Sequence, residues 1–216
     1  MKDKLTKIHK TKVLLLDQLK SIKDRLENEA GSYIEMLKIR NQKEPQVGFF
    51  SMVRLIMPVI EHTGKVIYGD KSDSKIKLLK ELGIEYPVLV WEMYRHSLIH
   101  NDEMRQITIG NQIVSWFISL RNVDHYYEYY EDKVRNARTG KLLPKPIIIH
   151  LDMFTLYNSL HEFLTNQISE VSPTRKVDIE TEVVYKKTVK KNKSGKRKKV
   201  NVVLQKELSE LIEELG

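Results

Sequence analysis

The sequence predicts a mostly α-helical protein: an antiparallel helical bundle carrying a β-hairpin insertion and a basic β-hairpin near the C-terminus. Three observations predict it. Apolar residues recur at helical spacing over residues 4–29, 48–60 and 152–169. Two alternating runs, RQITI and QIVSWFI, flank Gly110-Asn111, a hairpin signal. After about Ser172 the character changes to strand-like segments around a dense lysine run.

The elements follow in order. Leu5, Ile8, Leu15, Leu19, Ile22 and Leu26 share one face of a first helix, interrupted by Lys12. Gly31 breaks or bends it, and Ser32 with Glu35 forms a capping-box pattern for a further turn through Leu37. GFFSMVRLIMPVI, residues 48–60, reads as a buried helix bent or ended by Pro58. Residues 74–82 lie between cap residues and Gly83 and form a short helix. Pro87 suits the first turn of a helix through Leu98. The hairpin occupies residues 105–118. The tyrosine-rich HYYEYYED covers a core edge or an interface, or stacks on bases. Residues 147–149 form a short strand, and 152–169 the last core helix, with Met153, Leu156, Tyr157, Leu160, Phe163, Leu164 and Ile168 on its apolar side. This divides the chain into a helical domain, 1–171, and an appendage, 172–216, of basic hairpin and acidic helix.

Composition excludes several function classes. There is no cysteine, so disulfides, zinc ribbons and thiol catalysis are out. No apolar run reaches the length of a membrane span, and the amphipathic N-terminus does not resemble a signal peptide, so a cytoplasmic protein without membrane contact is expected. The net charge of +8 is local. Residues 186–199 hold nine Lys or Arg and no acid, and the rest of the chain carries 28 basic against 29 acidic residues.

The stretch YRHSLIHND, residues 94–102, concentrates potential chemistry. His96 and His100 stand at i and i+4, the spacing of a two-histidine metal site, but no third ligand follows from the spacing of His125, His150 or His161. No metal or cofactor is therefore expected. Arg95 and His100 suit metal-free acid–base work if the helix ends near His100. A guanidinium clamps a phosphate through paired hydrogen bonds, and an imidazole moves a proton near neutrality. Together they fit cleavage of an RNA phosphodiester, with a base on the 2′-hydroxyl and a cation on the phosphate. The plainer alternative stays open: Arg95 neutralising a helix C-terminus or pairing with Asp102 or Glu103.

The stretch RHSLIH, with Arg95, His96 and His100 in an R-x4-H arrangement behind the apolar lead-in VLVWEMY, resembles the signature of the HEPN superfamily (higher eukaryotes and prokaryotes nucleotide-binding). The resemblance implies a HEPN-like helical bundle that pairs into a homodimer with two motifs in one cleft. It implies a metal-independent endoribonuclease of the toxin–antitoxin or phage-defence kind, with an antitoxin protein as a further partner. The other implied outcome is a non-catalytic module that binds a nucleotide, RNA or protein. By position Arg95 is the phosphate-binding cation, His100 the acid–base group and His96 an assisting polar group. The resemblance is local: it rests on this one short motif and on the order of helices over residues 1–170, with the hairpin at 105–118 as an insertion, and does not cover the appendage.

The lysine run supplies a second candidate contact. Lys186, Lys187, Lys190, Lys191, Lys193, Lys196, Arg197, Lys198 and Lys199 fit electrostatic RNA binding, and the alternative is a solvated, self-repelling loop. Only Tyr185 lies beside them, so base stacking there is not supported.

Overall fold

The computed structural model describes residues 7–41, 49–69, 72–100, 107–109, 112–129, 139–140, 142, 144–183 and 207–215. In chain order the elements are β1 (Lys7–Leu14), α1 (Leu15–Arg25), a π-helical segment (Leu26–Gly31), α2 (Ser32–Asn41), α3 (Phe49–Tyr68), α4 (Ser74–Glu81), α5 (Pro87–His100), β2 (Ile107–Ile109), β3 (Gln112–Ser119), β4 (Tyr126–Tyr129), β5 (Ile147–Asp152), α6 (Met153–Glu170) and β6 (Lys176–Val183). A last helix, α7, spans 207–215.

This is a mixed α and β architecture, which corrects the expected mostly α bundle. One sheet has four strands in the order β2-β3-β5-β4, and a separate ribbon pairs β1 with β6. The expected hairpin forms, with Ile107 opposite Val114. It is not an insertion on a helical bundle. β3 runs parallel to β5, from Val114 opposite Ile147 to Ser119 opposite Asp152. β4, from the tyrosine-rich stretch, lies antiparallel on the far edge, Tyr126 opposite His150. The inner face contributes Val114, Trp116, Ile118, Ile147, Ile149 and Leu151 to the core, each at most 2% exposed. A sheet so placed is half of the packing, and α6 lies against both β3 and β5.

The N-terminus departs from the expected helix for a related reason. Residues 7–14 are a strand because a partner exists far away in sequence. The register sets Lys10 opposite Glu180 and Lys12 opposite Asp178, so basic and acidic positions face each other along one side. The Leu15 amide donates to the Arg175 carbonyl at 2.9 Å, which ties the start of α1 to the ribbon.

The helices carry most of the remaining core. Leu15, Leu19, Ile22, Leu26, Ala30, Ile34 and Leu37 form one buried stripe across α1, the π-helical segment and α2. Gly31 does not end this helix. It closes the π-helical segment, where an added Cβ would meet the Tyr157 hydroxyl at 2.8 Å. α3 continues through Pro58 to Tyr68. Its Gly64 lies against α4, and a Cβ there would stand 2.8 Å from the Ser74 carbonyl oxygen, so the residue is small because two backbones meet.

The appendage is joined to the body at two described places. β6 pairs with the N-terminal strand; the expected second strand of the basic hairpin, 198–206, and the whole lysine run lie outside the described residues. α7 packs Leu208 and Leu211 into the main core at 6% and 0% exposure. Among the described residues no helix is long and apolar enough to cross a membrane.

Candidate functional site

α5 is built to present its C-terminal end. Leu89, Val90, Trp91, Met93 and Tyr94 are buried, so the helix is held on nearly all sides up to the residue before Arg95. Burial pushes the Tyr94 hydroxyl up to about 12. The Lys75 ammonium of α4 lies 4.8 Å from the centroid of the Trp91 ring, a cation–π contact that ties α4 to α5. The N-terminus of α5 is capped from a distance. The Glu207 carboxylate of α7 accepts from the Val88 amide at 3.3 Å and the Leu89 amide at 2.9 Å. Tyr86 donates to Glu214 at 2.6 Å, at the other end of α7. Burial raises the Glu207 carboxyl above its usual range although both backbone bonds pull it down.

The helix is continuous from Pro87 to His100. Arg95, His96 and His100 therefore occupy its final turns. Positions 96 and 100 share one face, while positions 95 and 100 are about 140° apart around the axis and about 7.5 Å apart along it. The expected end near Leu98 is thus two residues later, and the helix does not unwind between the arginine and the second histidine. The side chains of residues 95–100 lie outside the described residues, as do Asn101, Asp102 and Glu103. So do Lys186, Lys187, Lys190, Lys191, Lys193, Lys196, Arg197, Lys198 and Lys199. Among the described residues no three His, Asp or Glu side chains are grouped as metal ligands.

Two further clusters were not recognised in the sequence. The first is a buried hub at the C-terminal ends of the parallel strands. Asp152 is 1% exposed. Its Oδ1 accepts from the Phe154 and Thr155 amides at 3.0 and 2.9 Å, capping α6. Its Oδ2 accepts from the Ser119 hydroxyl and from the Arg121 and Asn122 amides, the last two at 2.7 and 3.2 Å. The Asp152 amide in turn donates to His125 Nδ1 at 3.1 Å. The ring proton of His125 therefore sits on Nε2, which is buried without a partner among the described residues. Burial holds His125 below its usual range, against the opposing pull of Asp152 and Asp124. This network fastens the loop after β3 to the start of α6. An Asp directly before the apolar-periodic run from Met153 is the N-cap signal that marks it.

The second cluster lies on the outer face of the four-stranded sheet. Phe117, His150 and Tyr126 occupy one level of β3, β5 and β4. Their ring centroids are 5.3 Å apart for Phe117 and His150, and 4.0 Å for His150 and Tyr126. His150 Nε2 meets Glu128 Oε1 at 2.6 Å. The tyrosine-rich stretch was visible in the sequence, but its register against His150 follows only from strand pairing.

No family model, no curated protein and no solved structure matches this chain. Its functional reading therefore rests on its own residues.

Proposed function

We propose that this chain is a metal-independent endoribonuclease acting through Arg95 and His100. The observation that carries the reading is the placement of an arginine and two histidines on the last turns of a helix otherwise buried up to Tyr94. A rigid element holding a cation and a proton-transfer group at its end is what in-line attack by a 2′-hydroxyl asks of a protein. In the proposed mechanism His100 takes the 2′-hydroxyl proton as the 2′-oxygen bonds to phosphorus, Arg95 neutralises the phosphorane, and the P–O5′ bond breaks to leave a 2′,3′-cyclic phosphate while the 5′-oxygen takes a proton from water. His96, on the same face as His100, assists by hydrogen bonding. The likeness of RHSLIH to the HEPN signature supports the same reading, and with it a homodimer, a cytoplasmic setting and an antitoxin-type protein partner. The nine basic residues of 186–199 serve in this proposal to hold the RNA backbone.

A second reading is favoured by one observation. In an unbroken helix positions 95 and 100 diverge by about 140°, which suits a module that binds RNA, a nucleotide or a protein without cutting. The HEPN likeness answers this difficulty with a homodimer, in which two copies of the motif share one cleft.

The test is RNA cleavage in EDTA by wild type, Arg95→Ala and His100→Ala. Loss of cutting in both variants, with wild type active, supports catalysis. No cutting by wild type, or equal cutting by all three proteins, sinks it and leaves the binding reading.

A further inference from the structure

We propose that the outer face of the four-stranded sheet is a base-stacking site for single-stranded RNA, centred on Tyr126. The choice of RNA as ligand rests on the function proposed above; the stacking geometry does not. Phe117, His150 and Tyr126 stand side by side on three adjacent strands. Tyr126 lies almost parallel to His150, with the planes 8° apart and the centroids 4.0 Å apart. One face of the tyrosine ring is used in this stack, yet the residue is 48% exposed. A ring pair inside a sheet stabilises strand pairing whatever else it does. A half-exposed tyrosine at the open end of a three-ring row does something more: it offers a π surface on which a fourth flat ring continues the stack.

Charge decides which part of a nucleic acid faces the row. Glu128 lies on the same face, bonded to His150 Nε2. A carboxylate repels phosphate, and it accepts hydrogen bonds from the amino groups of bases. The backbone is therefore directed away and a base inward. Duplexes present stacked, paired bases behind a phosphate rim, so the face selects single strands. The attraction for a polyanion comes from elsewhere on the chain, since the basic excess lies wholly within residues 186–199. Stacking and backbone attraction are thus separate contributions with different salt dependence. The lysine contribution decays as salt rises, and the stacking contribution persists.

The experiment compares fluorescein-labelled 2′-O-methyl oligoadenylate with an abasic strand of equal length and charge. The modified sugar blocks attack by the 2′-oxygen, so binding is read without cleavage. Anisotropy is measured at low and high salt for wild type, Tyr126→Phe and Tyr126→Ala, each checked by circular dichroism. Wild type and Tyr126→Phe bind the base-bearing strand at least about five-fold more tightly than the abasic one at both salt concentrations. Tyr126→Ala loses that preference. Equal affinity of wild type for the two strands, absence of binding to either, or an intact preference in Tyr126→Ala overturns the proposal. His100→Ala retains the preference if the site is separate from the chemistry. Base-dependent binding without any cleavage of ordinary RNA would leave this site standing while removing the catalytic reading.

Discussion

Asp152→Ala removes one carboxylate and five hydrogen bonds at once. Two of them cap α6, through the Phe154 and Thr155 amides, and loss of such a cap costs about 1 kcal/mol. The Ser119 hydroxyl, 9% exposed, loses its buried acceptor. An orphaned buried donor costs about 1–3 kcal/mol. The Arg121 and Asn122 amides belong to exposed residues, so water recovers part of their loss. The sum is about 3 kcal/mol, or a fall in Tm of about 6–12 °C for a chain of this length. Asp152→Asn is the sharper probe. Its carbonyl still caps α6, but its amide nitrogen faces two backbone N–H groups that need an acceptor, and about 2 kcal/mol is lost. Thermal and urea unfolding followed by circular dichroism read both values. An alanine variant that loses less than about 1 kcal/mol, or an asparagine variant as stable as wild type, would refute the hub as the fastening between the β3 loop and α6.

Two further outcomes follow from the same physical arguments. Glu207→Ala leaves the Val88 and Leu89 amides without a carboxylate cap and destabilises the chain by about 1 kcal/mol; Glu207→Gln costs less, because burial already disfavours the charged carboxyl, and amide hydrogen exchange at Val88 and Leu89 separates the two variants. His125 is held below its ordinary value of 6.5 by burial, so its contribution to stability is present above that pH and is lost as pH falls through the lower folded value. Wild type therefore loses stability on acidification from pH 7 toward 5, and His125→Gln flattens that slope; an unchanged slope in the variant would remove His125 from the account.

Local pattern was enough wherever an element is held by its own neighbours. The helices at 74–81 and 153–170 lie within a residue of where Gly83 and the Met153–Ile168 periodicity place them. The Gly110-Asn111 hairpin pairs as its alternating flanks require. These are effects of a few residues, and a few residues carry the information. The motif at 94–102 was equally legible as a list of residue types at the end of a helix.

Pairing across the chain decided the rest. Residues 7–14 are a strand only because Lys176–Val183 offers a complementary register, and helical periodicity through Leu5, Ile8 and Leu15 had no means of reporting that partner. Three strand-like pieces read separately became one sheet because β3 and β5 bury Trp116, Ile118, Ile149 and Leu151 together. The Glu207 cap on α5 and the Asp152 hub join residues more than twenty positions apart, and the ring row depends on a register between strands. By itself the sequence determined which residues are apolar, charged or able to move a proton, since those are properties of single side chains. Which of them meet was decided by tertiary structure, because burying both faces of an element and satisfying its buried donors are conditions on the whole chain.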